Sequence, residues 1–189
     1  LVSSTNREDG KSFFIKSLAQ SLSLLSVRVL IIDTNFRNNS LTQLIIGNRM
    51  LQRKSEYKLL NDSDANIELT DEDEFTKSII FPTSDKNVDI IGSRLGLESP
   101  SEMFAGRSFT AFIDSLRLKY DYILMEGPSL NEYSDTKELT QFADAIIAVF
   151  SAENSLKPRD RESINYLKSL NGKFVGAILN FVSKDELKA

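Results

Sequence analysis

Three observations predict an α/β fold with a mostly parallel sheet and helices on both faces. Short apolar, β-branched runs alternate with segments of helical period. The first run leads into a loop ending Gly10-Lys11-Ser12, and two later runs, at Asp33 and Glu126, end in a carboxylate. Strands separated by helices must run parallel with both faces covered, and such sheets place ligands beyond the carboxyl ends of their strands.

The elements follow in order. Leu1-Val2 opens a short strand, and beyond the loop Phe14, Leu18, Leu22 and Leu25 recur at helical spacing. Val27 to Asp33 is a continuous apolar strand with one basic interruption at Arg28. From Asn39 to Ser78 the chain is polar and weakly periodic, with Leu41, Leu44, Ile45, Leu51, Leu59 and Leu60 predicting short helices in an insertion over the site. Within it, Thr70 and Asp73 fit a capping box for a solvated helix rather than a metal site. Val88 to Ile91 is the next strand, followed by a helical stretch containing Met103, Phe104, Phe109, Phe112, Ile113 and Leu116. Strands are expected at Tyr120–Glu126, Ala143–Phe150 and Phe174–Asn180, with a crossover helix from Pro158 to Leu170 between the last two.

Composition narrows the chemistry. A chain of 189 residues with 41% hydrophobic content suits one well-buried domain, expected to span 1–189. The net charge of −4 and the lack of a basic cluster interleaved with aromatics argue against a nucleic-acid partner. Cysteine and histidine are absent, which removes thiolate nucleophiles, disulfides, Ser-His-Asp triads and Cys/His metal sites. Chemistry is left to carboxylates, Lys, Arg, hydroxyls and a hard cation such as Mg²⁺. No apolar run reaches the length of a membrane span, so a cytoplasmic domain is expected.

Leu1 to Ser12 has the outline of a phosphate-binding loop: backbone N–H groups and a helix N-terminus surround the phosphates, Lys11 reaches the β/γ oxygens, and Ser12 is placed to ligate Mg²⁺. The general pattern G-x-x-x-x-G-K-[ST] has Gly where this chain has Thr5, and Gly-Lys-Ser alone also suits an ordinary helix start near Asp9 or Gly10.

Segments along most of the chain resemble, in order, the bacterial tyrosine kinase family, relatives of the MinD/ParA deviant-Walker ATPases that regulate capsule and exopolysaccharide assembly. Ser3 to Ser12 is similar to the family's T-S-x-x-P-G-E-G-K-[ST] loop, Leu30 to Arg37 to its apolar-D-x-D-x-R motif, and Ile123 to Pro128 to its apolar-D-x-P Walker B segment. Ser99 to Phe104 resembles N-P-x-E-L-L, while Tyr133-Ser134-Asp135 and Phe142-Ala143-Asp144 resemble V-S-D and L-A-D. The resemblance implies a P-loop NTPase-like fold that binds ATP or ADP with Mg²⁺. It implies nucleotide contacts from Arg7, Glu8, Asp9, Gly10, Lys11, Ser12, Phe13 and Arg37, Mg²⁺ held by Ser12, Asp33 and Glu126, and catalysis by Lys11, Asp33 and Glu126. It further implies a membrane-anchored polysaccharide co-polymerase region as partner, in cis or trans, a homo-oligomer, and a place at the inner face of the cell membrane.

The departures fall on the catalytic positions. Asn35 replaces the second acid of D-x-D and cannot act as a carboxylate base or as a charge toward Mg²⁺. Glu126 replaces the Walker B Asp and advances its carboxylate by about one C–C bond toward an ion with strict octahedral demands. Glu8 and Arg7 replace the Gly and Pro of the family's loop. The family's tyrosine-rich tail has no counterpart in Phe181 to Ala189, and Tyr57, Tyr120, Tyr122, Tyr133 and Tyr166 are scattered, with packing expected for the pair flanking the Walker B strand. The expectation is a kinase-like, pseudokinase domain acting as a nucleotide-responsive assembly module. The alternatives are an active autophosphorylating tyrosine kinase and a MinD/ParA-like ATPase, although the latter's signature Lys, four residues before Gly10, is Asn6 here.

Overall fold

The computed structural model describes residues 1–35, 38–47, 79–93, 108–183 and 185. Arg37, most of the insertion with its capping box, and the Ser99–Phe104 motif lie outside the described residues.

The apolar runs become strands β1 (Val2–Ser4), β2 (Val29–Asp33), β3 (Ile80–Pro82), β4 (Val88–Ile91), β5 (Tyr122–Ser129), β6 (Ile146–Ser151) and β7 (Phe174–Asn180). Between them lie helices α1 (Lys11–Ser23), α2 (Ser40–Ile45), α3 (Phe109–Arg117), α4 (Asp135–Leu139), which continues into a 3₁₀ turn at Thr140–Phe142, and α5 (Pro158–Lys168). The sheet order is β3-β4-β2-β5-β1-β6-β7, parallel throughout except for β3, which runs antiparallel on β4. That edge strand was not anticipated: Ile79-Ile80-Phe81 is too short a run to separate a strand from a loop by period.

The central strands are apolar throughout because each feeds two cores. In β2, Leu30 and Ile32 join one cluster with α3 residues Phe109, Phe112, Ile113 and Leu116, and with Leu167 of α5. Val29 and Ile31 point the other way, onto Ile15 and Ala19 of α1 and Leu41 of α2. Successive side chains of a strand alternate between faces, so a continuous apolar run is the pattern of a strand covered on both sides. Every β2 residue is buried, Asp33 included.

The expected packing of the two Walker B tyrosines holds for only one of them. Tyr120 is half-buried, and that burial, reinforced by the hydrogen bond its hydroxyl donates to Asp89 at 2.8 Å, raises its pKa. Tyr122 is 47% exposed.

Candidate functional site

The phosphate loop leaves β1 and enters α1 through two left-handed residues, Glu8 at φ 61° and Gly10 at φ 92°. Gly10 is required there twice over. Its φ is one that side chains rarely adopt, and a Cβ would stand 1.9 Å from the Asn180 amide nitrogen, which donates to the Asp9 carbonyl at 3.3 Å. Glu8 holds a conformation for which the resembling family uses glycine. Among the described residues no side chain caps the start of α1 and no acid lies in its first turn, so its N–H groups and positive dipole end remain available to an anion.

These groups line one cavity of about 280 Å³ with Arg7, Glu8, Gly10, Lys11, Ser12, Phe13, Asn35, Glu126 and Tyr133 on its wall. The sheet brings the two predicted acids together, since Asp33 and Glu126 are register partners on neighbouring parallel strands. Lys11 is 6% exposed, and its ammonium donates to Ser4 Oγ at 2.8 Å. Burial lowers its pKa, with Glu126 and Asp9 opposing that shift.

The two carboxylates have different surroundings. Asp33 is fully buried and occupied: Oδ1 accepts from Asn35 N at 3.1 Å, and Oδ2 accepts from Thr42 N at 3.0 Å and Thr42 Oγ1 at 2.5 Å. Burial still raises its pKa. Glu126 is 1% exposed, and Oε1 accepts from Ser12 Oγ at 3.0 Å, whereas Oε2 has no hydrogen-bond partner among the described residues. Burial, and then repulsion from Asp33, push its pKa up to about 7 against the pull of Lys11, Ser12 and Asn35.

An unpartnered buried carboxylate oxygen beside a serine hydroxyl is a donor set for a hard cation. No group of three or more acids that could hold a metal alone exists among the described residues, so a Mg²⁺ here needs further oxygens from phosphate or water.

Thr42 was not singled out from the sequence, yet it ties α2 to the end of β2. Its hydroxyl donates to Asp33 and accepts from Ser93 N at 2.9 Å. Thr42→Val keeps the shape, leaves Ser93 N without its acceptor and Asp33 Oδ2 with the backbone N–H of residue 42 alone, and is expected to lower unfolding free energy by about 2 kcal/mol, read from urea titration. An unchanged midpoint would show that Asp33 does not depend on this contact.

The loop's other charged residues go elsewhere than Glu8. Arg7 pairs with Glu132 and donates to the Tyr133 hydroxyl, with its guanidinium carbon 5.6 Å from that ring's centroid. Asp9, 1% exposed, accepts from Asn6 N and from the Asn154 amide, each at 3.0 Å. Gly127 permits close approach of α4 to β5, since a Cβ would meet Thr136 Oγ1 at 2.7 Å. Arg37 lies outside the described residues.

By fold and site this is a P-loop NTPase-like α/β domain. The bacterial tyrosine-protein kinases are its relatives, as the motifs indicated. The putative tyrosine-protein kinase CapB of Staphylococcus aureus is 24% identical over 186 residues, 98% of this chain and 76% of that protein. Tyrosine-protein kinase CpsD of Streptococcus pneumoniae serotype 4 is 24% identical over 179 residues, 95% of this chain and 74% of that protein. Among solved structures, the chimerical protein CapA2B2 superposes with TM-score 0.72 at 20% identity, covering 97% of this chain and 75% of that one. The kinase domain of Escherichia coli tyrosine kinase ETK gives 0.71 at 19%, covering 97% and 67%. The septum site-determining protein MinD of Pyrococcus horikoshii, complexed with Mg-ADP, gives 0.60 at 21%, covering 94% and 68%. No protein-family model matches the chain.

Proposed function

We propose that this chain is the nucleotide-binding, kinase-like domain of a capsule or exopolysaccharide chain-length regulator, in which phosphoryl transfer is reduced or lost and nucleotide acts on assembly. The observation that carries the reading is Asn35. It is 7% exposed on the wall of the loop cavity, where the resembling family places its second acid. A neutral amide cannot take the proton of an attacking tyrosine hydroxyl, and it adds no charge toward a cation.

The remaining groups are those of a binding site. Lys11 and the α1 N–H groups hold the phosphates, with Arg7, Glu8, Asp9, Gly10 and Phe13 around them. Ser12 and the free oxygen of Glu126 hold Mg²⁺, whereas Asp33, expected as a third ligand, has both oxygens engaged by Asn35 and Thr42 and orders this end of β2 beside them. The cation would supply charge neutralisation on the phosphates. Lys11, Asp33 and Glu126 are the groups on which residual transfer would depend. Among the described residues no helix is long and apolar enough to cross a membrane. The proposed partner is a membrane-anchored co-polymerase region, in cis or trans, which would hold the domain at the inner membrane face as part of a homo-oligomer.

The test restores the missing acid. The parent is expected to bind Mg-ATP and give little phosphotyrosine, and Asn35→Asp is expected to raise phosphotyrosine at least ~100-fold, the scale of a positioned general base. Abundant phosphotyrosine on the parent, abolished by Asp33→Ala, would select the active kinase instead.

A further inference from the structure

Three side chains far apart in sequence meet behind the phosphate loop. Asp160, the third residue of α5, is 1% exposed and divides its carboxylate between two tasks. Oδ2 accepts from Lys157 N at 2.6 Å and so caps its own helix. Oδ1 accepts from the amides of Asn131, at 2.5 Å, and Asn6, at 3.3 Å. Asn131 donates as well to Asn6 Oδ1 at 3.1 Å and accepts from Ser163 Oγ at 2.7 Å. The Asn131 backbone N–H donates to the Thr5 carbonyl at 3.2 Å.

We propose that Asn131 and Asp160 are positioning residues for the phosphate loop, holding Thr5–Gly10 in the arrangement that receives an anion before one arrives. The need is visible in the loop itself. It lacks the first glycine of the general pattern, and Glu8 sits in a left-handed conformation that costs free energy for a side-chain-bearing residue. Such a conformation persists only when its surroundings over-determine it. The amide–carboxylate cluster supplies that constraint, and every donor and acceptor in it is matched. The inference rests on the reading of this loop as a phosphate site.

Asp160→Asn is isosteric and keeps an oxygen for the helix cap, but turns an NH₂ group toward two others. The exchange Asn131→Asp with Asp160→Asn restores one acceptor among the donors, with the Asn6 amide turned over. Mg-ADP affinity, measured by calorimetry at a temperature where all variants are folded, is expected to fall about tenfold in Asp160→Asn and to return to within about threefold of the parent in the exchanged pair. A helix-capping role alone would lower the unfolding midpoint and leave affinity unchanged, which would overturn the proposal. So would a loss that the exchange fails to rescue. If Asp160→Asn does not fold, Asn131→Ala leaves the α5 cap intact and is read the same way. A parent that binds no Mg-ADP would overturn the phosphate-site reading along with the proposal, whereas a binding parent with indifferent variants overturns the proposal alone.

Discussion

Lys11→Ala is expected to weaken Mg-ATP and Mg-ADP binding by ~100-fold, about 2.7 kcal/mol, in calorimetric titration. Lys11 is 6% exposed, its ammonium anchored on Ser4 Oγ at 2.8 Å and set in the cavity that holds the uncapped start of α1. Without it, phosphate oxygens would meet Glu8 and Glu126 on the cavity wall with only backbone dipoles in compensation. The same change removes the cation that opposes the raised pKa of Glu126, so the variant should also be less stable above pH 7. Equal affinity in variant and parent would refute the loop as a phosphate site. A parent that binds nothing at millimolar nucleotide would mean that the loop is vestigial and that the domain works through its surfaces.

Glu126→Gln should make the domain more stable and a poorer nucleotide binder. In the native state the Glu126 carboxyl titrates at about 7 instead of 4.5, first because it is buried and then because Asp33 lies beside it. Below the lower value it is protonated in both the folded and the unfolded chain, and it contributes no pH dependence. Between 4.5 and about 7 the unfolded chain releases the proton while the native state keeps it, so stability falls as pH rises. Above that window the penalty is complete and amounts to about 3 kcal/mol. Parent and Glu126→Gln should therefore unfold alike near pH 4.5 and diverge by that amount at pH 8. Mg-nucleotide should narrow the gap, because a bound cation favours the ionised carboxylate. A parent whose stability does not decline between pH 5 and 8 would show that Glu126 ionises without cost, and Mg²⁺-independent binding in both proteins would remove it from the cation site.

These two effects oppose each other for a physical reason. Two acids on adjacent buried strands, Asp33 at the end of β2 and Glu126 within β5, repel in the free protein and become useful only when a cation arrives. Asp33 is held by three donors, so the burden falls on Glu126, whose Oε2 has none among the described residues. Stability is given up at the point where a ligand is expected to restore it.

Much of this was legible in the chain itself. The Val29–Asp33 run, the Gly-Lys-Ser loop and the acid at 126 announced parallel strands leading to the site, because strand and helix periods are local and loop signals span only a few residues, although β5 runs on to Ser129 past the Glu126 expected to end it. Asn35 and Glu126 could be marked as departures for the same reason. What the tertiary structure decided depends on residues distant in sequence. It placed Asp33 against Glu126, gave the Asp33 carboxylate to Thr42, sent Arg7 to Glu132 and Tyr133 rather than to Glu8, and joined Asn6 to Asn131 and Asp160. Those contacts are set by sheet order and helix docking, and no local pattern encodes which polar side chains will meet when buried donors and acceptors find their partners.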